Sequence, residues 1–264
     1  LSSGYAAALT HWNDGGGEGL YVGGSFDGII GVSNTKLVAR WDKGNNSWSG
    51  LGAGLSTGFT NGFITSILPF EIGGKEELIV AGFFAEAVGV AGTKSIARWD
   101  GQSWKATGAN FNPTAAESVW AMATWSGVGG ERLYVGGAFP LAGGVTAGGL
   151  AAWDGSQWYS LGSGIAGPFS PTVFKLISFN DGGGDKLYAM GRFTSVDGVS
   201  APLIARWDGT SWSKVGGGLS ASSTFASLES AAVFDDGGGA ALYVGGSSFS
   251  VPGVGAASVA KWDG

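Results

Sequence analysis

The chain of 264 residues holds a single histidine, His11, and no cysteine. A histidine metal cluster and thiolate chemistry are thereby excluded, and a catalytic triad is restricted to one built on His11. Glycoside hydrolysis needs two carboxylates flanking the scissile bond. Glu117 and Glu229, with Lys175 between them in sequence, are the charged residues placed for such a task. A second kind of chemistry comes from aromatics set among serine, threonine and asparagine: Tyr5, Phe59, Phe169 and Phe225, joined by Asp27 and Asp197. A ring face suits the C–H side of a pyranose, while hydroxyls and carboxylates around it take the sugar's hydroxyls. These six are the expected ligand-binding residues. No catalytic residue, metal ligand or cofactor is expected, and the Asp-Gly turns do not follow the ligand spacing of a calcium loop.

Charge narrows the ligand classes. A net charge of −6 and a pI near 4.7 argue against nucleic acid and anionic membrane surfaces, which both require clustered cations. No run of 18 apolar residues is present, so no membrane-spanning helix is expected. Glycine is abundant at 52 residues, yet 12 tryptophans and 44 % apolar content place the chain among folded proteins. Leu1 opens it with no basic start and no signal-like apolar core, as expected of a processed or excerpted chain.

The elements that must carry these residues are repeats. Leu-Tyr-Val-Gly-Gly or a close variant begins at Leu20, Leu78, Leu133, Leu187 and Leu242, spaced 54 to 58 residues apart. A Trp-Asp pair follows each, at Trp41, Trp99, Trp153, Trp207 and Trp262, in the same frame. Four of these pairs precede a second tryptophan: Trp48, Trp104, Trp158 and Trp212. Each repeat reads as four short apolar runs separated by glycine-rich turns, with no helical periodicity. Four antiparallel strands recurring at this period predict an all-β five-bladed β-propeller, a single domain over 1–264. Its blades fall at approximately 1–54, 55–110, 111–164, 165–218 and 219–264. The Gly-Gly doublet is expected to allow close approach of a neighbouring strand or blade. The recurring Asp42, Asp100, Asp154, Asp208 and Asp263 are expected to shape turns, and Arg40, Arg98, Arg206 and Lys261 to pair with acids or stack on rings.

The motif Leu187–Phe193 followed by Ile204–Val215 resembles a Kelch repeat. It resembles more closely the glycine-rich, Kelch-like repeats of large bacterial secreted proteins. The Trp-Asp pair is also similar to that of WD repeats, but the period is too long and their Gly-His dipeptide is absent. The Kelch-like resemblance covers essentially the whole chain. It implies a propeller and a secreted or cell-surface location, and implies no one activity, because such propellers include enzymes, adaptors and lectins.

Within a propeller, connections between strands two and three and between blades share one loop-rich face, where binding is expected. The function expected is therefore non-enzymatic recognition of carbohydrate or protein through that face. A structural or assembly module and a glycosidase remain alternatives. The fifth blade is expected to lack its outer strand, since Leu1 aligns with Leu55, Ile165 and Leu219, and Gly264 stands directly after Trp262-Asp263. Its edge near Trp262 would then be a template for a strand-adding partner.

Overall fold

The computed structural model describes residues 3–58, 61–111, 118–253 and 255–264, with side chains omitted for 255–257. Among them there is no helix; the chain is all-β and antiparallel. It divides into two compact units. One comprises Leu1–Met122, Leu141–Gly144 and Asp154–Trp158, the other Ala123–Pro140, Val145–Trp153 and Tyr159–Gly264.

Each repeat makes one sheet in which sequence neighbours are spatial neighbours. The first sheet runs Gly4–Asn13, Glu18–Phe26, Val38–Asp42, Ser47–Ser49. The second runs Phe63–Ile72, Lys75–Phe83, Ile96–Trp99, Trp104–Lys105, and the third Ser118–Gly127, Gly130–Ala138, Leu150–Trp153, Trp158–Ser160. The fourth runs Thr172–Asn180, Asp185–Arg192, Ile204–Trp207, Trp212–Lys214. The fifth departs from this pattern. Ala240–Val251 pairs Ser227–Asp235 on one side and Gly255–Trp262 on the other, with Ser220–Ala221 against its far end. The expected loop between its second and third strands is instead a continued hairpin, pairing Phe249 with Ala257 and Val251 with Gly255. The repeat has one extra residue in Gly245-Gly246-Ser247-Ser248-Phe249, and the ladder absorbs it as an irregularity between Gly245 and Phe249.

The Gly-Gly doublet has two distinct reasons. A Cβ on the first glycine would strike the next sheet: at Gly23 it would lie 2.6 Å from Ile64 and Ile67, and at Gly136 2.5 Å from Val173. A Cβ on the second would overlap the backbone of the first strand, as at Gly191 against the Thr172 carbonyl. That crowding coincides with a bulge. In the first, second, fourth and fifth sheets the register slips once opposite the doublet or its Ala-Gly or Met-Gly counterpart, leaving Ala7, Thr65, Phe174 and Glu229 as the extra residues.

Later repeats hold earlier ones. The indole N–H of Trp104 donates to the Leu51 carbonyl at 2.8 Å, that of Trp158 to Thr107 at 2.9 Å, and that of Trp212 to Leu161 at 2.8 Å. The Trp-Asp hairpins also cover the turn of the preceding sheet. A Cβ on Gly101 would meet Asp14, and one on Gly209 would meet Trp125 and Val128. Beneath these covers Trp12 and Trp125 are buried, whereas Phe234 of the fifth sheet is 60 % exposed. In the first unit the buried cluster includes Tyr21, Leu37, Leu51, Ile64, Leu78, Trp99 and Trp104. In the second it includes Tyr188, Leu203, Val215, Leu228, Leu242 and Phe249.

The hairpin aspartates act as expected. Asp208 Oδ1 accepts the N–H groups of Thr210 and Ser211, each within 2.9 Å, and Asp100 and Asp154 do the same in their own turns. A second set of aspartates, one repeat element earlier, binds the strand cations. Asp14 accepts from Tyr21 and pairs Arg40, Asp181 takes Tyr188 and Arg206, and Asp236 takes Tyr243 and Lys261. Burial, reinforced by the Asp181 carboxylate, pushes the Tyr188 phenol up to about 12.

Two stability measurements follow from this packing. Gly191→Ala should cost about 2–4 kcal/mol in urea unfolding, since backbone must move to admit the methyl. Gly183→Ala, in an open turn without positive φ, should stay within about 0.5 kcal/mol. The second concerns pH. The Ser211 and Thr210 amides hold the Asp208 carboxyl down at about 2, below its ordinary 3.8. Its contribution to stability is therefore complete above about pH 4 and lost as pH falls towards 2. Asp208→Asn should flatten that part of the acid-unfolding curve.

Candidate binding site

In the second, fourth and fifth sheets, the segment entering the sheet and the connection between its second and third strands meet at one end. Leu55–Ser56 pairs Glu86–Ala87, Ile165–Ala166 pairs Ser195–Val196, and Ser220–Ala221 pairs Phe249–Ser250. These short ladders set the loops that carry the expected ligand-binding residues.

Two classes of aromatic separate there. Phe26, Phe84, Phe139, Phe193 and Phe249, after the glycine doublets, are all buried. The aromatics entering the sheets are the opposite: Tyr5 is 60 % exposed, Phe169 60 % and Phe225 63 %. In the second unit, the Phe169 and Phe225 rings lie 5.5 Å apart between centroids with planes at 34°. Exposed rings in contact form a small apolar platform. Phe169 and Ser170 hold it from the left-handed region, at φ 54° and 58°. Such a conformation costs on the order of 1–3 kcal/mol for a bulky residue. Phe59 lies outside the described residues.

Beside the platform is a cavity of about 390 Å³, whose lining includes Pro168, Arg192, Thr194, Ser222, Ser223 and Thr224. Pro168 is the chain neighbour of Phe169, and Thr224 that of Phe225. Its polar groups are partly committed. Ser222 Oγ donates to the Ser248 carbonyl and Thr194 Oγ1 to that of Ala166, while Ser223 Oγ accepts the Phe225 amide and keeps its own proton to give. Arg192 Nη2 donates to the Ser170 carbonyl, and its buried Nε has no acceptor among the described residues. The result is an open hollow with an aromatic flank, hydroxyl donors and acceptors, and a guanidinium. That composition suits a hydroxyl-rich ligand.

The two acids sit elsewhere. Asp197, at φ 47°, accepts the N–H and hydroxyl of Ser163 at 2.8 and 3.0 Å. These two bonds hold its carboxyl below its ordinary range. Asp197 thus ties a loop between strands to the segment entering the same sheet. In the first unit, Asp27 accepts from Ser3 Oγ at 2.7 Å, lies 3.9 Å from Lys36, and lines a second cavity of about 390 Å³ with Thr35 and Asn34. Thr35 is already bonded to Ile29 and Val32, and Asn34 to Gly52. Tyr5 belongs to the first strand of that unit.

The acid–base candidates are placed as follows. His11 is exposed, 3.9 Å from Glu18. Glu229 is the bulge residue of the fifth sheet and accepts the Ser227 hydroxyl at 2.8 Å. Glu117 lies outside the described residues. Among the described residues no group of three or more His, Asp or Glu is gathered to hold a metal ion. Sequence reasoning missed Arg192, Thr194 and the serines of Ser222-Ser223; a polar run beside Phe225 was the signal available.

Replacing Asp197 by alanine should release the Ser163 amide, seen as faster hydrogen exchange there. Global stability should change by about 1 kcal/mol or less, because only surface hydrogen bonds are lost. Comparison with protein-family models and with curated proteins finds no match for this chain.

Proposed function

We propose that the five repeats are the blades of a Kelch-like β-propeller and that the chain is a non-enzymatic binding protein whose ligand is carbohydrate. The observation that carries the ligand class is the Phe169–Phe225 platform beside a largely apolar hollow whose lining also includes the hydroxyls of Ser223 and Thr224 and the Arg192 guanidinium. Other aromatics at this end of the sheets, those following the glycine doublets, serve the core, while these two are left in water at the cost of apolar exposure. A pyranose laid on the rings covers that surface, and its hydroxyls reach Ser223, Thr224 and the Arg192 guanidinium. The propeller reading draws support from five sheets in a constant frame, from the glycine contacts between successive sheets, and from loop ladders gathered at one end of each sheet.

The test is a glycan array probed with the chain and with the Phe169→Ala/Phe225→Ala double variant. Binding to a defined set of glycans is expected, weakened about tenfold or more in the variant while its circular dichroism stays the same. A blank array, or a variant that binds as well as the parent, overturns the reading.

A further inference from the structure

Three arginines of the chain hold acids in their own sheets. Arg40 pairs Asp14 and Asp42, Arg98 pairs Glu77, and Arg206 pairs Asp181. Arg192 pairs no carboxylate among the described residues. Its Nη2 donates to the Ser170 carbonyl at 3.2 Å, and its Cζ lies 5.8 Å from the centre of the Phe174 ring. No described residue accepts from its Nη1 or its Nε. The frame of the repeat does not call for an arginine here. The same position, between a glycine and the buried phenylalanine, holds Ser25, Phe83 and Ala138 in the first three repeats.

The guanidinium stands where a ligand would meet it. It lines the hollow of about 390 Å³ with Thr194, Ser223 and Thr224, and no acid is among the described residues of that lining. Its bond to Ser170 keeps it within one residue of Phe169, whose ring is half of the platform. The acids nearest the lining in sequence are engaged elsewhere, Asp197 by Ser163 and Glu229 by Ser227. A planar guanidinium with unused N–H groups matches a carboxylate better than it matches a hydroxyl. The net charge of −6 does not oppose one bound carboxylate, because exposed acids beyond about 8 Å are largely screened at physiological ionic strength.

We infer that the ligand of this platform is an acidic glycan, one that places the carboxylate of a uronic or sialic acid on Arg192. The inference rests on the carbohydrate reading and narrows it. The sugar ring covers the aromatic surface, its hydroxyls meet Ser223 and Thr224, and its carboxylate accepts from the unused N–H groups of the guanidinium. Charge-assisted hydrogen bonds of this kind are about twice as strong as neutral ones, so the carboxylate sets the selectivity.

The test is an array on which glycans carrying uronic or sialic acid are printed beside the same glycans with the carboxyl reduced to an alcohol. Binding to a set of the acidic glycans is expected, weakened about tenfold or more on their reduced forms. Arg192→Gln should bind the reduced forms like the parent and lose the preference, with unchanged circular dichroism. The paired glycans need only the parent chain, so they decide the matter even where the variant does not fold. Equal binding to acidic and reduced forms, or a preference that survives Arg192→Gln, overturns the inference and leaves the carbohydrate reading standing. A blank array overturns both.

Discussion

A buried indole imposes two demands at once: its rings must lose water, and its N–H must find an acceptor. Trp104, Trp158 and Trp212 meet both demands on the preceding repeat, each placing its N–H on that repeat's backbone carbonyl. The rest of the architecture serves this contact. The Trp-Asp hairpin, with the aspartate gathering its own turn amides, holds the tryptophan at the sheet edge at a fixed angle. The glycine doublet lets successive sheets come close enough for the indole to reach, and the bulge opposite the doublet relieves the crowding this creates in the first pair of strands. Removing any one of these leaves the others strained or unfilled.

The division between core and exposed loop surface follows from the same arrangement. Residues fixed by the frame of the repeat are consumed by packing: the phenylalanines after the glycine doublets are buried, Arg40, Arg206 and Lys261 are held by aspartates of the preceding turn, and Arg98 is held by Glu77. What lies outside the frame is free to differ. The loops entering the first, fourth and fifth sheets carry Tyr5, Phe169 and Phe225 exposed, and in the second unit two of these rings meet beside a hollow of mixed polar and apolar lining. Repetition makes the scaffold, and departures from repetition make the candidate site.

The sheets were legible from sequence because their signals are local. Gly-Gly, Trp-Asp-Gly and the alternation of apolar runs each specify structure within a few residues, and the strands form where they predict. The acceptor of each indole was not legible, since it lies 51 to 53 residues away and depends on how one sheet seats on another. The same holds for Asp14, Asp181 and Asp236, each of which binds a tyrosine and a cation from the neighbouring strands. Glu229 drew notice because the other repeats lack it, and its place, a bulge residue in the fifth sheet that corresponds to Ala7, Thr65 and Phe174, was not legible. The pairing of Phe169 with Phe225 needed coordinates, because the two lie 56 positions apart in successive entry loops and meet only through the way the fourth and fifth sheets are seated.

The indole contacts also have a direction in time. Each runs from a later repeat back to an earlier one, across 51 to 53 residues. During synthesis, a repeat that has just emerged therefore has its own strands but not the tryptophan that seals its edge. At about 5–20 residues per second, that seal arrives about 3–10 s later. Over that interval the open edge faces the ribosome's surroundings, so folding of this chain proceeds one repeat behind translation.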